Sequence, residues 1–148
     1  MIQVGEPAPD FTLPDQHGRR TSLSSFDGPV LVVFFPAAFT PTCTSELGVL
    51  RDAPIPGVTV VAVSCDSVPA LRAFADAEGI AFPVLSDFWP HGEVARAYGA
   101  FIPERGIAGR VSALVDGTGV VRALWRSSPA EARDPAEYAR AAADLSAG

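Results

Sequence analysis

Residues 30–35, Val-Leu-Val-Val-Phe-Phe, form an unbroken apolar run closed by Pro36. A strand with no polar face has nothing to turn toward water, so this one reads as a central parallel strand covered on both sides. Proline cannot donate to a sheet ladder, which ends the strand at Pro36. Thr40-Pro41 then marks a helix start, with a hydroxyl at the N-cap and proline at the first helical position. Cys43 falls at the third helical position, where unpaired N–H groups and the positive end of the helix dipole favour an anion. Leu47 and Leu50 follow it at i+4 and i+7, so the sulfur tops the buried stripe of that helix. Because the thiolate is the reactive form of cysteine, Cys43 is the candidate nucleophile.

The rest of the chain is read around this junction. Residues 1–28 are rich in turn formers and carry short strand-like pieces at Phe11–Leu13 and Arg20–Leu23, which predicts an N-terminal hairpin. Val58–Val63 is a second apolar run, so strand 30–35, helix 41–51 and strand 58–63 make a βαβ unit. Ser67 caps a further helix that Gly79 closes. A short strand at Phe82–Leu85 and a short helix at Glu93–Tyr98 follow, then a loop over 100–109. Val111–Val115 and Val120–Trp125 flank Asp116-Gly117-Thr118-Gly119 as an antiparallel hairpin, and a last helix spans Pro135–Leu145. The expected architecture is α/β: a thioredoxin-like fold with a central mixed sheet, flanking helices and an N-terminal hairpin, in one domain over residues 1–148. In such sheets reactive groups lie beyond the carboxyl ends of the strands, where Thr40 and Cys43 fall.

Composition removes several classes of function. The net charge of −6, from 17 acidic and 11 basic residues, argues against nucleic acid or anionic lipid as partner. No stretch approaches the ~20 apolar residues of a membrane span, and Met1-Ile2-Gln3-Val4 does not open a signal peptide, so cytoplasm is expected. Two cysteines are too few for a disulfide scaffold. His17 and His91 lack the spacing of a metal site, and Gly117-x-Gly119 is a hairpin turn rather than a dinucleotide loop, so neither metal nor cofactor is expected.

Pro36-x-x-x-Thr40-x-x-Cys43 matches the peroxiredoxin motif, on the strand-to-helix junction where that motif belongs. Ala8-Pro9-Asp10-Phe11 resembles the opening segment of peroxiredoxins, and Arg110 before Asp116 resembles the family's arginine-bearing site. Ser86–Tyr98, with Phe-Trp-Pro-His-Gly inside it, is similar to the one-cysteine alkyl hydroperoxide reductase E type of actinobacteria. The resemblance implies a thiol-dependent peroxidase reducing hydrogen peroxide, organic hydroperoxides or peroxynitrite through a sulfenic acid on Cys43. It implies resolution by an external thiol, whether mycothiol, a mycoredoxin- or glutaredoxin-like protein, thioredoxin or glutathione. It also implies a symmetric homodimer using the side that carries Phe88, Trp89 and Pro90.

A free thiol is only a few per cent ionised near pH 7, and nucleophilicity falls as acidity rises. Fixed dipoles aimed at the breaking O–O bond are therefore expected to supply the larger share of rate, commonly ~10²–10³ per donor. Cys43 is the nucleophile. The Thr40 hydroxyl is expected to accept from the Cys43 N–H and donate to a peroxide oxygen. Arg110, by the resemblance, stabilises the thiolate and the developing charge, and Pro36 shields the sulfur. Thr42 and Glu46 complete the substrate-binding set, Thr42 through its amide and Glu46 as the carboxylate that orients the arginine. Cys65 ends the second apolar run and reads as a buried structural thiol. The positions where peroxiredoxins place a resolving cysteine hold none, position 48 being Gly48. A disulfide reductase on the same fold would need cysteine where Thr40 stands. A peroxide sensor that passes oxidation to a partner protein is the alternative outside enzymes.

Overall fold

The computed structural model describes residues 2–128 and 132–147. In chain order it places β1 (Thr12–Pro14), β2 (Arg20–Ser22), β3 (Val30–Phe34), α1 (Pro41–Asp52), β4 (Thr59–Ser64), α2 (Val68–Glu78) and β5 (Val84–Ser86). Then come α3 (Glu93–Ala97), β6 (Phe101–Ile102), β7 (Ile107–Ala108), β8 (Arg110–Val115), β9 (Val121–Ser127) and α4 (Pro135–Ala147). The main sheet has the order β5-β4-β3-β8-β9. β3 runs parallel to β4, with Val30 opposite Thr59 and Phe34 opposite Val63, and antiparallel to β8. The sheet is therefore mixed, and the fold is thioredoxin-like.

All of β3 is buried, as its composition requires. Alternate side chains leave a strand on opposite faces, so β3 feeds two separate cores. Leu31, Val33 and Phe35 pack with Leu47 and Leu50 of α1, Leu71 and Phe74 of α2, and Tyr138 and Ala142 of α4. Val30, Val32 and Phe34 pack on the other side with Phe11 and Leu13 of the N-terminal hairpin and Val94, Ala95 and Tyr98 around α3. The helices end where the sequence says they should. Ser67 caps α2 by accepting the Ala70 N–H at 3.4 Å, and Gly79 closes it at φ +66°, a conformation that costs glycine no side-chain clash.

The structure departs from the expected elements in two places. Residues 100–109 form a small antiparallel pair, β6 with β7, closed by the Gly106 N–H on Ile102 O at 2.9 Å. Two-residue strands carry no readable alternation, which is why they look like loop in the sequence. The short strand β5 begins at Val84 instead of Phe82, because Pro83 has no N–H to pair. Buried Gln16 bridges that proline: its amide donates to Phe82 O at 3.0 Å and accepts the Val84 N–H at 2.9 Å. His91, between Phe88 O and Gly106 O, ties the aromatic 88–91 turn to the β6–β7 pair. Phe88 and Trp89 remain exposed, Trp89 at 79 %.

Candidate active site

The site forms where β3 ends and α1 begins. Pro41 brings no N–H and Thr44 bonds back to Thr40 O at 2.9 Å, so that among the described residues the amides of Thr42 and Cys43 are the first-turn donors without a partner. Cys43 is fully buried on the inner stripe with Leu47 and Leu50. Arg110 opens β8, the neighbour of β3, and is itself 2 % exposed. Its Nη2 donates to Cys43 Sγ at 3.2 Å, and its Nη1 pairs with Glu46. Cys43 and Glu46 share one helix face because they are three residues apart, so one planar guanidinium reaches both.

A second arginine completes the cluster. Arg133, just before α4, donates its backbone N–H to Glu46 Oε2 at 2.7 Å, its Nε to the same oxygen at 3.0 Å, and its Nη2 to Oε1 at 2.9 Å. The pairing of β3 with β8 stops at Val33 opposite Ser112. Beyond that pair, Arg133 Nη1 takes Phe34 O at 2.7 Å, Val111 O at 3.0 Å and Ser112 Oγ at 2.9 Å. Among the described residues, two guanidiniums and the Glu46 carboxylate form this buried cluster beside the sulfur. Arg133 escaped the sequence reading. A trace of it was legible, since a cation just ahead of a helix N-terminus opposes the dipole and needs a carboxylate elsewhere.

Thr40 stands at the N-cap but does not cap the helix through its side chain. Its hydroxyl donates to Ala37 O at 2.8 Å. The expected bond from the Cys43 amide to this hydroxyl is not made, and the hydroxyl's single proton is already placed. Two acceptor lone pairs remain. The residue between, Phe39, sits at φ +66°, outside the ordinary range for a bulky side chain, with its exposed ring edge-on to Phe74 at 5.4 Å. Glu46 holds Arg110 from behind, its side chain only 6 % exposed and both oxygens occupied. Pro36 ends the strand half-buried.

Cys65 lies outside this cluster. Both thiols are free. Burial, then the carboxylates of Asp87 and Asp66, push the Cys65 thiol up to about 12, against the Ala108 N–H that bonds its sulfur. It stays a neutral, unreactive thiol at physiological pH.

A thiol buried at a helix start under an arginine, on a thioredoxin-like sheet, defines the thiol peroxidases as a class. The AhpC/TSA family model matches residues 4–124. The chain is 42% identical to alkyl hydroperoxide reductase E of Mycobacterium tuberculosis (strain ATCC 25618 / H37Rv) over 154 residues, covering 99% of this chain and 100% of that protein. It is 36% identical to peroxiredoxin Bcp of Escherichia coli (strain K12), covering 84% and 85% of the two chains. The crystal structure of peroxidoxin BcpB from Mycobacterium tuberculosis superposes with a TM-score of 0.82 at 31% identity, over 99% of this chain and 98% of the other. The chain belongs to the peroxiredoxins of the AhpC/TSA family, which makes it a thiol-dependent peroxidase.

Proposed function

We propose that Cys43 is the sole redox-active residue and that the enzyme runs a one-cysteine cycle. The observation that carries this is the Arg110 guanidinium 3.2 Å from Cys43 Sγ. The thiolate attacks the hydrogen-bearing oxygen of H–O–O–R. The S–O bond forms, the O–O bond breaks, and sulfur loses two electrons to become a sulfenic acid. The leaving R–O⁻ takes a proton from water as R–OH. Arg110 and the amides of Thr42 and Cys43 face the charge that develops, and Pro36 keeps the sulfur dry. Thr40, its proton committed to Ala37 O, accepts the substrate's O–H. This favours hydrogen peroxide, alkyl hydroperoxides and peroxynitrous acid over peroxides without a hydroxyl.

A first external thiol condenses with the sulfenic acid and releases water, and a second reduces the mixed disulfide. A small thiol or a thioredoxin- or glutaredoxin-like protein fits this role. The raised, buried Cys65 supports external resolution, and the exposed Phe88 and Trp89 support a homodimer closed over that turn. Mass spectrometry after one equivalent of hydrogen peroxide tests the cycle. A trappable sulfenic acid is expected in wild type and Cys65→Ser and none in Cys43→Ser. An intrachain 43–65 disulfide would overturn the one-cysteine reading.

A further inference from the structure

Asp66, in the loop after β4, lies 23 positions beyond Cys43 in sequence yet touches the turn that carries it. Its Oδ2 accepts the Ala38 N–H at 2.9 Å and the Ser64 hydroxyl at 2.7 Å. Its own N–H donates to Ser64 Oγ at 3.3 Å, and its carbonyl accepts the Ser86 hydroxyl at 2.6 Å. Ser64 and Ser86 are buried at the ends of β4 and β5, so the sheet itself holds this carboxylate in place. The Ala38 N–H and the Ala37 C=O belong to one peptide plane. Asp66 pulls on its amide end, and the Thr40 hydroxyl donates to its carbonyl end at 2.8 Å. The direction of that carbonyl decides which way the Thr40 lone pairs face. Between the two, Phe39 holds a left-handed backbone that the turn would leave if it were released.

We propose that Asp66 is a positioning residue for peroxide reduction: its carboxylate orients the Ala37–Ala38 peptide and, through it, the Thr40 hydroxyl that receives the substrate's O–H. The inference rests on Cys43 as the attacking sulfur and concerns only how its substrate is aligned. What matters is where the acceptor stands, not the charge it carries. Asp66→Asn keeps an oxygen acceptor at the same place, whereas Asp66→Glu keeps the charge and moves it by one methylene. Asp66→Ala removes both.

The test compares two second-order rate constants for Cys43 in wild type and the three variants, under identical buffer. One is oxidation by hydrogen peroxide, read by rapid quench and mass spectrometry. The other is alkylation by iodoacetamide, which needs the sulfur but not the Thr40 acceptor. Asp66→Ala and Asp66→Glu are expected to lose about 10- to 100-fold in oxidation with alkylation undiminished, and Asp66→Asn to stay within about threefold of wild type. Oxidation unchanged in Asp66→Ala overturns the role. So does the reverse order, with Asp66→Glu active and Asp66→Asn impaired, which would make charge the operative property. Should Asp66→Ala not fold, the Asn and Glu pair decides alone. A wild type whose Cys43 is not oxidised takes the one-cysteine reading down as well, which separates the two failures.

Discussion

Arg110 performs two tasks that no lysine can share. Its fork spans Cys43 Sγ and the Glu46 carboxylate at once, whereas an ammonium is a single point charge on a flexible stem. Arg110→Lys is expected to lower the rate of peroxide reduction by about 100-fold, the usual cost of one misplaced donor, while far-ultraviolet circular dichroism stays unchanged; stopped-flow peroxide consumption checks it. Arg133 works differently, because nothing places it against the sulfur. It satisfies Glu46 and the carbonyls of Phe34 and Val111. Arg133→Met leaves the buried Arg110–Glu46 pair with one positive partner fewer and strands those carbonyls. A stability loss of about 3–5 kcal/mol is expected from urea denaturation, together with a slower enzyme.

At the scale of elements, the candidate active site is a joint between a strand and a helix start, and each piece is set by short-range rules. The strand end follows from Pro36 and the helix start from Thr40-Pro41, so both are legible from neighbours in sequence. The helix α3 is a contrary case. Its amides are capped not by a neighbour but by Asp87, whose carboxylate accepts the Val94 N–H at 3.2 Å and the Ala95 N–H at 2.8 Å. Gly92 turns the chain into α3 at φ +73°, and a Cβ there would overlap the Phe101 ring. Gly79, at φ +66°, faces open space. Gly79→Ala is therefore expected to cost about 1–2 kcal/mol from backbone conformation alone. Gly92→Ala should cost at least about 1 kcal/mol more through the clash. Paired urea melts check the order, and equal losses would contradict it.

For the whole molecule, three of the described buried groups that titrate at alkaline pH hold their protons more tightly than in an unfolded chain. Burial raises Cys65 to about 12 and raises Tyr98 and Tyr138 above the ordinary tyrosine range. Above about pH 9 the unfolded chain releases these protons first, so folding stability is full below that pH and falls as pH rises toward 12. The urea midpoint is expected to be flat between about pH 7 and 8.5 and clearly lower at about pH 10.5. Cys65→Ala should make that slope shallower. At the same scale, the turn with Phe88 and Trp89, 51 % and 79 % exposed, is the surface proposed to close the dimer. Trp89→Ser is expected to shift sedimentation from dimer to monomer, and an unchanged dimer would move the interface elsewhere.

Local chemistry alone determined the joint at the heart of this protein. Consecutive apolar residues demand a covered strand, proline stops it, and a threonine–proline pair starts the helix that lifts Cys43 to its first turn. Each of these rules acts over a few residues, so the order of residues is enough. The tertiary structure decided who stands around the sulfur. Arg110, 67 positions away, was legible only by likeness to a family, Arg133 only as a trace and Asp66 not at all, because the sheet order and the pairing of β3 with β4 and β8 bring them in. Packing also decided the direction of the Thr40 hydroxyl. A serine-like side chain has several acceptors within reach at a helix start, and the Ala37 carbonyl, turned toward it by the fold, took the proton that the sequence would have left to the substrate.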